Sequence, residues 1–360
     1  MLMSKKTIHG EARGRDIQDG KERRFAKQRP TQLSLFQTFL PEEDLKYSNT
    51  IEFYDAVPKY FTNKRQMTEM REGPEGREIY LPTLEREFRY QDNLYKLEIN
   101  PARVRDSDGA LKEYYPSEQE EIVEEALRKI ASTDRLNGLY LGNNAGVQFT
   151  MYELREELRK RGHAMSHTQL QRSLSICRSA GLLIERKSGE KEVLLDSSIF
   201  PMVMISSRKD WRDDPKNTRC YVQFNPLVTA SIEALTYRQF DYETLMSYTR
   251  QLSRWFHKRL YHNYINAGML NRYSILLSTI KRDSSQDIKY LELTFEELSQ
   301  KNIIFGFEKE IRRGPQNRID DVLYTLMPSP NFVGEMKKAN KWASNIQTIS
   351  PIGLPAHQGR

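Results

Sequence analysis

The stretch GVQFTMYELREELRKRGHAMSHTQLQRSLSICRSAGLLIERKSGEKEVLLD, from Gly146 to Asp196, limits the possible folds more than any other part of this chain. Thr150 followed by Glu153 is a capping box, in which each residue satisfies a backbone N–H of the other at a helix start. It opens a helix carrying Tyr152, Leu154 and Leu158 that stops at Gly162. Ser166 with Gln169 repeats the signal, and Leu170, Leu174 and Cys177 make a stripe that ends at Ala180-Gly181. LLIERKSGEKEVLL then reads as a hairpin, two apolar strands around a Ser188-Gly189 turn. Upstream, PSEQEEIVEEALRKIAS predicts a further helix, with Ser117 as cap, Glu120 at the capping-box position and Ile122, Ala126 and Ile130 on one face. Helix, helix, turn, helix, hairpin is the order of a winged helix.

The order recurs downstream. FDYETLMSYTRQLSRWFHKRLYHNYI predicts one long amphipathic helix, with Leu245, Tyr248, Leu252, Trp255 or Phe256, and Leu260 on one face. YSILLSTIKRDSS predicts a short helix, and DIKYLELTFEELSQKNII another with Ile288, Leu291, Phe295 and Leu298 on one side. FGFEKEIRRGPQNRIDDVLYTLMP gives two strands around an Arg-Gly-Pro-Gln-Asn turn. The halves share element order and not sequence. The fold class expected is therefore α+β: two tandem winged-helix domains, at 117–218 and 219–335, with a tail at 336–360. A disordered basic arm at 1–50 and a mixed β/loop extension at 51–116, with strand-like REIYLP and NLYKLEINPARV, precede them.

Charge and absent motifs narrow the function. Residues 1–30 hold nine Lys/Arg against four acids, so +5 of the net +7 lies in a leader without apolar periodicity. Such a segment buries too little to offset its ordering entropy and is attracted to polyanions. Cys177 and Cys220 are far apart and unpatterned, which suits a reducing cytoplasm. No apolar run approaches the roughly 20 residues of a membrane helix. There is no GxxxxGK[ST] phosphate loop; LGNNAGV is a Gly/Asn-rich turn. A nicking enzyme's His-apolar-His metal motif is missing too. His163 and His167 have metal-like spacing but straddle a turn, and the pairs Glu156-Glu157 and Glu296-Glu297 read as solvated helix faces. The expectation is a protein without catalytic residues, metal or cofactor.

In the first unit the inner helix begins at Ser166, His167, Thr168 and Gln169, with Arg172 one turn on. A helix N-terminus favours phosphate, Gln can pair with adenine and Arg with guanine. Arg186, Lys187 and Lys191 on the hairpin suit backbone contact. In the second unit Lys281, Arg282, Ser284, Ser285 and Lys289 precede or open the inner helix, and Arg312, Arg313, Gln316, Asn317 and Arg318 form the hairpin tip. Acids crowd that helix (Asp287, Glu292, Glu296 and Glu297), so only its first turn suits phosphate. Two such units on one face of B-DNA would cover roughly 20 bp. The same residues would be ordinary surface residues of a winged helix that meets only protein.

AVPKYF from Ala56, DGALKEYYPSEQEEIVEEAL, FTMYELREELRKRG, SHTQLQRSLSICRSAGL, RCYVQFNPLV and LSRWFHKRL together resemble plasmid replication initiators with two winged-helix domains, nearest the TrfA-type initiators of broad-host-range plasmids. The resemblance implies a bacterial, plasmid-associated protein that binds double-stranded origin repeats (iterons) and opens adjacent DNA. It also implies recruitment of host replication proteins, including a host initiator and the replicative helicase, and exchange between monomer and homodimer. The second inner helix departs from it, being less basic than in related initiators. Gln32-Leu33-Ser34-Leu35-Phe36 matches the peptide by which bacterial proteins dock on the DNA polymerase sliding clamp. Leu35 and Phe36 would fill an apolar pocket, with Leu33 beside them and Gln32 bonded at the rim. Two other readings stay open, a paired winged-helix repressor, which overlaps with the autoregulation common among initiators, and a DNA-processing nickase or primase.

Overall fold

In a computed structural model of the chain, residues 46–60, 80–105, 109, 111–133, 138–141, 144–187, 191–205, 218–234, 237–264, 268 and 270–349 are described. The leader to residue 45, with the 32–36 peptide, and the Ser188-Gly189 turn lie outside them.

The segment before the first unit is divided among three places. β1 (Tyr47–Ile51) pairs antiparallel with β12 (Tyr237–Asp241), and the short α1 (Glu52–Ala56) follows it, so residues 47–50, expected in a disordered arm, are strand. β2 (Leu84–Tyr90) and β3 (Asn93–Asn100) form a hairpin whose alternate residues Phe88, Tyr95, Leu97 and Ile99 are buried. That period of two is what a half-buried strand requires. β4 (Ala102–Arg105) and β5 (Leu111–Tyr114) make a second hairpin. The expected strand at REIYLP is absent where it is described: Tyr80–Pro82 is irregular.

The first unit contains α2 (Glu118–Thr133), β6 (Gly138–Leu141), β7 (Asn144–Thr150), α3 (Met151–Lys160), α4 (His167–Ser179), β8 (Gly181–Lys187), β9 (Lys191–Ser198), β10 (Met202–Met204) and β11 (Arg219–Gln223). Both capping boxes form as the sequence predicts, Thr150 with Glu153 and Ser166 with Gln169. Gly162 follows α3 at φ +83°, a conformation open to glycine without steric penalty. Leu154 and Leu158 are buried, but Tyr152 points outward. Two residues before Leu154, it lies about 200° round the helix. LGNNAGV turns out to join two paired strands, β6 and β7.

The hairpin β8–β9 is not free-standing. It forms half of a four-stranded antiparallel sheet, β2-β3-β8-β9, and β7 belongs to a separate sheet, β10-β11-β7-β6. The β4–β5 hairpin covers the back of α4, where Ala102, Val104 and Tyr114 meet Ile176 and Ala180.

After α5 (Pro226–Glu233) and β12, the expected long helix is broken into α6 (Tyr242–Met246) and α7 (Gln251–Asn263). The cause is tertiary. The Thr249 N–H and hydroxyl both donate to Glu297, each at 2.7 Å, and Arg254 donates to the Tyr248 carbonyl at 3.0 Å. The apolar stripe survives the break through Leu245, Tyr248, Leu252, Phe256 and Leu260; Phe256 is in it and Trp255 is half-buried. β13 (Tyr273–Leu276), α8 (Leu277–Ser284), α9 (Leu291–Gln300), β14 (Ile304–Arg313) and β15 (Ile319–Pro328) complete the second helix–helix–hairpin array, with sheet order β13-β15-β14. Leu291, Phe295 and Leu298 are buried as expected, with Ile288 in the turn before the helix. α10 (Pro330–Ile349) then runs past residue 335, where a tail was expected, and its Phe332, Val333 and Met336 enter the core.

One apolar cluster runs through both arrays. In the first array α2 buries charge: Glu120, Glu121, Glu124, Glu125, Arg128 and Lys129 are all inside. Glu118, Glu121, Glu125 and Arg128 follow helical spacing and face Arg254 and Lys258 on α7. Arg254 pairs with Glu118 and, at 3.3 Å, with Glu121. Lys258 pairs with Glu125 and, at 3.4 Å, with Asp55. Asp55 is the hub. Arg128 binds it through two nitrogens at 2.8 and 3.0 Å, and it also accepts from the Thr50 hydroxyl at 2.6 Å and the Ile51 N–H at 2.7 Å. Buried charges persist only when paired and hydrogen-bonded in this way.

Candidate nucleic-acid interface

The N-terminus of α4 is presented to solvent, with Ser166, Thr168 and Gln169 exposed and His167 half-buried. The capping box restricts its chemistry. Ser166 Oγ accepts from the Gln169 N–H at 3.2 Å, and Gln169 Oε1 accepts from the Ser166 N–H at 2.8 Å. Pairing with adenine uses both the oxygen and the NH2 of a Gln side chain. In this conformation the oxygen is committed, so Gln169 fixes the helix start and offers only its NH2. Arg172 is half-buried with its guanidinium 5.9 Å from the Tyr114 ring, which ties it to the β4–β5 hairpin. His163 does not face His167: its Nε2 lies 2.7 Å from the Met246 carbonyl and fastens the α3–α4 turn to α6.

Arg186 and Lys187 of the first hairpin pair across the extended sheet while staying partly exposed. Arg186 donates to Asn93 Oδ1 at 3.2 and 2.6 Å and lies 3.7 Å from Glu192, and Lys187 pairs with Glu87. Contact with phosphate would exchange those partners. Lys191 opens β9, and its side chain lies outside the described residues.

In the second array the predicted residues separate. Lys281 is exposed, whereas Arg282 is half-buried and donates to Asp283 at 2.7 Å. Ser284 is 2% exposed and donates to the Ile280 carbonyl at 2.7 Å, so it is a helix-end residue and not a surface contact. Ser285 ends α8 in the left-handed region, its hydroxyl bonded to the Arg282 carbonyl at 3.3 Å. Lys289 is exposed over the Tyr290 ring, at 5.2 Å. The outward face of α9 shows Glu292, Leu293 and Glu296.

The β14–β15 hairpin is solvent-facing over its outer half. All residues from Glu308 to Arg313, with Pro315 to Asp320, are exposed. Arg312, Arg313 and Arg318 stand around a turn in which Gln316 and Asn317 both have positive φ, at 63° and 62°. The Gly314 N–H donates to the Arg318 carbonyl at 2.9 Å and Arg313 to the Asn317 carbonyl at 3.0 Å, closing the tip. No acid occurs from Ile311 to Ile319.

No family model matches the chain, and no curated protein matches it. Among solved structures it is similar to domains 2 and 3 of RctB, with a TM-score of 0.43 and 8% identity over 71% of this chain and 94% of that one. It is also similar to the Pi initiator protein in complex with iteron DNA, with a TM-score of 0.42 and 12% identity over 59% of this chain and 91% of that one. Likenesses of this size fix neither fold nor function.

Among the described residues no helix is long and apolar enough to cross a membrane, and no group of three His, Cys, Asp or Glu is placed to hold a metal ion. Sequence reasoning missed Asp55, Arg128, Arg254 and Lys258. The signal was present as a basic i, i+4 pair in LSRWFHKRL, but its acidic complement lies more than 120 residues away.

Proposed function

We propose that this chain is a non-enzymatic plasmid replication initiator whose two helix–helix–hairpin arrays are winged-helix DNA-binding units. The observation that carries the reading is the repeated array, with a solvent-facing capped α4 in one copy and a solvent-facing cationic hairpin tip in the other. The residue patterns shared with plasmid initiators support the same reading. In it the units bind origin repeats, the adjacent DNA opens, and the leader recruits the sliding clamp through Gln32, Leu33, Ser34, Leu35 and Phe36. Host initiator, helicase and a second copy of the chain are further partners. The paired-unit repressor is the second reading, favoured by the same DNA-facing residues.

Footprinting on DNA surrounding the protein's own gene tests this. Directly repeated protected segments of about 20 bp are expected; a lone promoter palindrome would favour the repressor, and no protection at all would end both readings. Replacing Leu35 and Phe36 together by alanine is expected to leave the footprint intact while abolishing clamp capture and replication of an origin plasmid. Full replication by that variant would remove the clamp from the mechanism.

A further inference from the structure

A cavity of about 340 Å³ lies between the β2–β3 turn, in the sheet of the first hairpin, and helices α7 and α8 of the second array, with α1 beside it. Small-molecule sites usually measure about 300–1,000 Å³ and favour such junctions. One buried carboxylate organises the wall. Asp283 Oδ1 accepts from the Arg89 N–H at 3.0 Å and from Arg282 Nε at 2.7 Å, and Oδ2 lies 3.3 Å from a terminal nitrogen of Arg259. It ties β2 to α8 and holds Arg89 and Arg282 next to each other. Both arginines line the cavity with donors to spare. The Arg89 guanidinium and the terminal nitrogens of Arg282 make no hydrogen bond among the described residues. Three of the four acids in the wall are engaged: Asp283 as above, Asp55 by Arg128 and Lys258, and Glu52 by Tyr90. The half-buried Trp255 ring also lines the space, with the Arg259 guanidinium 5.0 Å from its centre. The Thr279 hydroxyl and the Asp92 carboxylate line it too, without a hydrogen bond among the described residues.

We propose that this cavity binds a free nucleotide, with a phosphate on Arg89 and Arg282 and the base against Trp255, and that the bound ligand joins the two arrays. This goes beyond the DNA-binding reading and does not depend on it. Two guanidinium forks held by one carboxylate select phosphate. Its three oxygens can serve both forks, whereas a carboxylate is filled by one. The half-buried indole selects a planar group, and an aromatic face accepts any base. Asp92 supplies an acceptor for a base N–H or a ribose hydroxyl, and Thr279 supplies a hydroxyl. Because Arg89 is on β2 and Arg282 on α8, one phosphate spans the junction. A ligand that binds only the joined arrays stabilises them by mass action. Arg282, read from the sequence as a DNA contact, is then a ligand contact instead.

Equilibrium dialysis of the full chain against AMP, GMP, CMP, UMP and their diphosphates tests this. Inorganic phosphate, ribose 5-phosphate and a mixed-sequence DNA trinucleotide serve as comparisons. At least one nucleotide should bind saturably, about tenfold or more tightly than phosphate or ribose 5-phosphate, and raise the melting temperature. Arg89→Ala and Arg282→Lys should each weaken that binding about tenfold or more, the loss expected when charge-assisted hydrogen bonds are removed. The Arg89 side chain is exposed and Arg282→Lys keeps a cation beside Asp283, so melts without ligand should match the wild type. Trp255→Leu should reduce the nucleotide to the affinity of ribose 5-phosphate. Absence of nucleotide binding, or unchanged affinity in both arginine variants, would overturn the site. Phosphate binding as tightly as any nucleotide would leave an anion cluster without a base pocket and overturn it too. Tighter binding of the trinucleotide would assign the cavity to the DNA path and not to a free ligand. The origin footprint is independent of all these outcomes, and its failure would leave the nucleotide site standing.

Discussion

Asp55→Ala is expected to lower the unfolding free energy by about 3–5 kcal/mol, the range for removing one partner of a buried ion pair. Its carboxylate is 1% exposed, and the Arg128 and Lys258 side chains that bind it are 5% and 9% exposed. Burial disfavours the charged carboxylate, yet Arg128 and Lys258 hold it well below the usual carboxylate range. Without it the two buried cations lose the carboxylate they share, and the Ile51 N–H and Thr50 hydroxyl lose their acceptor. Urea melts should show the midpoint falling at an unchanged slope. Adding Arg128→Met should restore part of the loss, because the orphaned charge is then replaced by an apolar chain of similar length. A loss below about 1 kcal/mol would mean that the lattice does not join the two arrays.

The second large effect is on pH. His257 and His262 are buried in α7 beside that lattice, and burial lowers them to about 4 and about 3. His257 Nδ1 lies 3.0 Å from the Tyr248 hydroxyl and His262 Nε2 2.9 Å from the Thr50 hydroxyl; His262 Nδ1 has no partner among the described residues. Burial is the main cause at His262; nearby Asp55 favours a proton there, while Arg238, Lys258 and Arg128 oppose one. The folded chain therefore binds these protons more weakly than the unfolded chain, whose histidines titrate near 6.5. Stability from both groups is fully present above about pH 6.5 and is lost as pH falls towards their folded values. Between pH 7.5 and pH 5 the expected loss is about 4 kcal/mol, roughly 2 from each histidine. Asp55 adds nothing in that window, since its contribution is lost only below about pH 4. His262→Gln should halve the pH dependence in denaturant melts. A flat profile from pH 7.5 to pH 5 would refute the buried neutral histidines.

Local elements were legible in the sequence because their causes are local. The Thr150-Glu153 and Ser166-Gln169 boxes set helix starts by bonds spanning three residues. The Leu170, Leu174 and Cys177 stripe, the Leu291, Phe295 and Leu298 stripe, and the β14–β15 hairpin followed from periodicity and turn chemistry. What failed was non-local. A continuous apolar stripe predicted one helix from Phe240 to Ile265, but Glu297, far along the chain, holds the turn that splits it. Arg186 and Lys187 looked free for phosphate until β2 and β3 supplied Glu87 and Asn93.

By itself, then, the sequence determined the repeated helix–helix–hairpin order, the capped start of α4 and the cationic tip at 312–318, all written in contiguous residues. Only the tertiary structure decided which of those charges still face solvent and how the arrays are joined. A side chain's spacing sets its direction from the backbone, but its partner is set by which distant segment packs against it. For the acids of α2 that partner is α7 and Asp55, and no spacing within EQEEIVEEALRK identifies either.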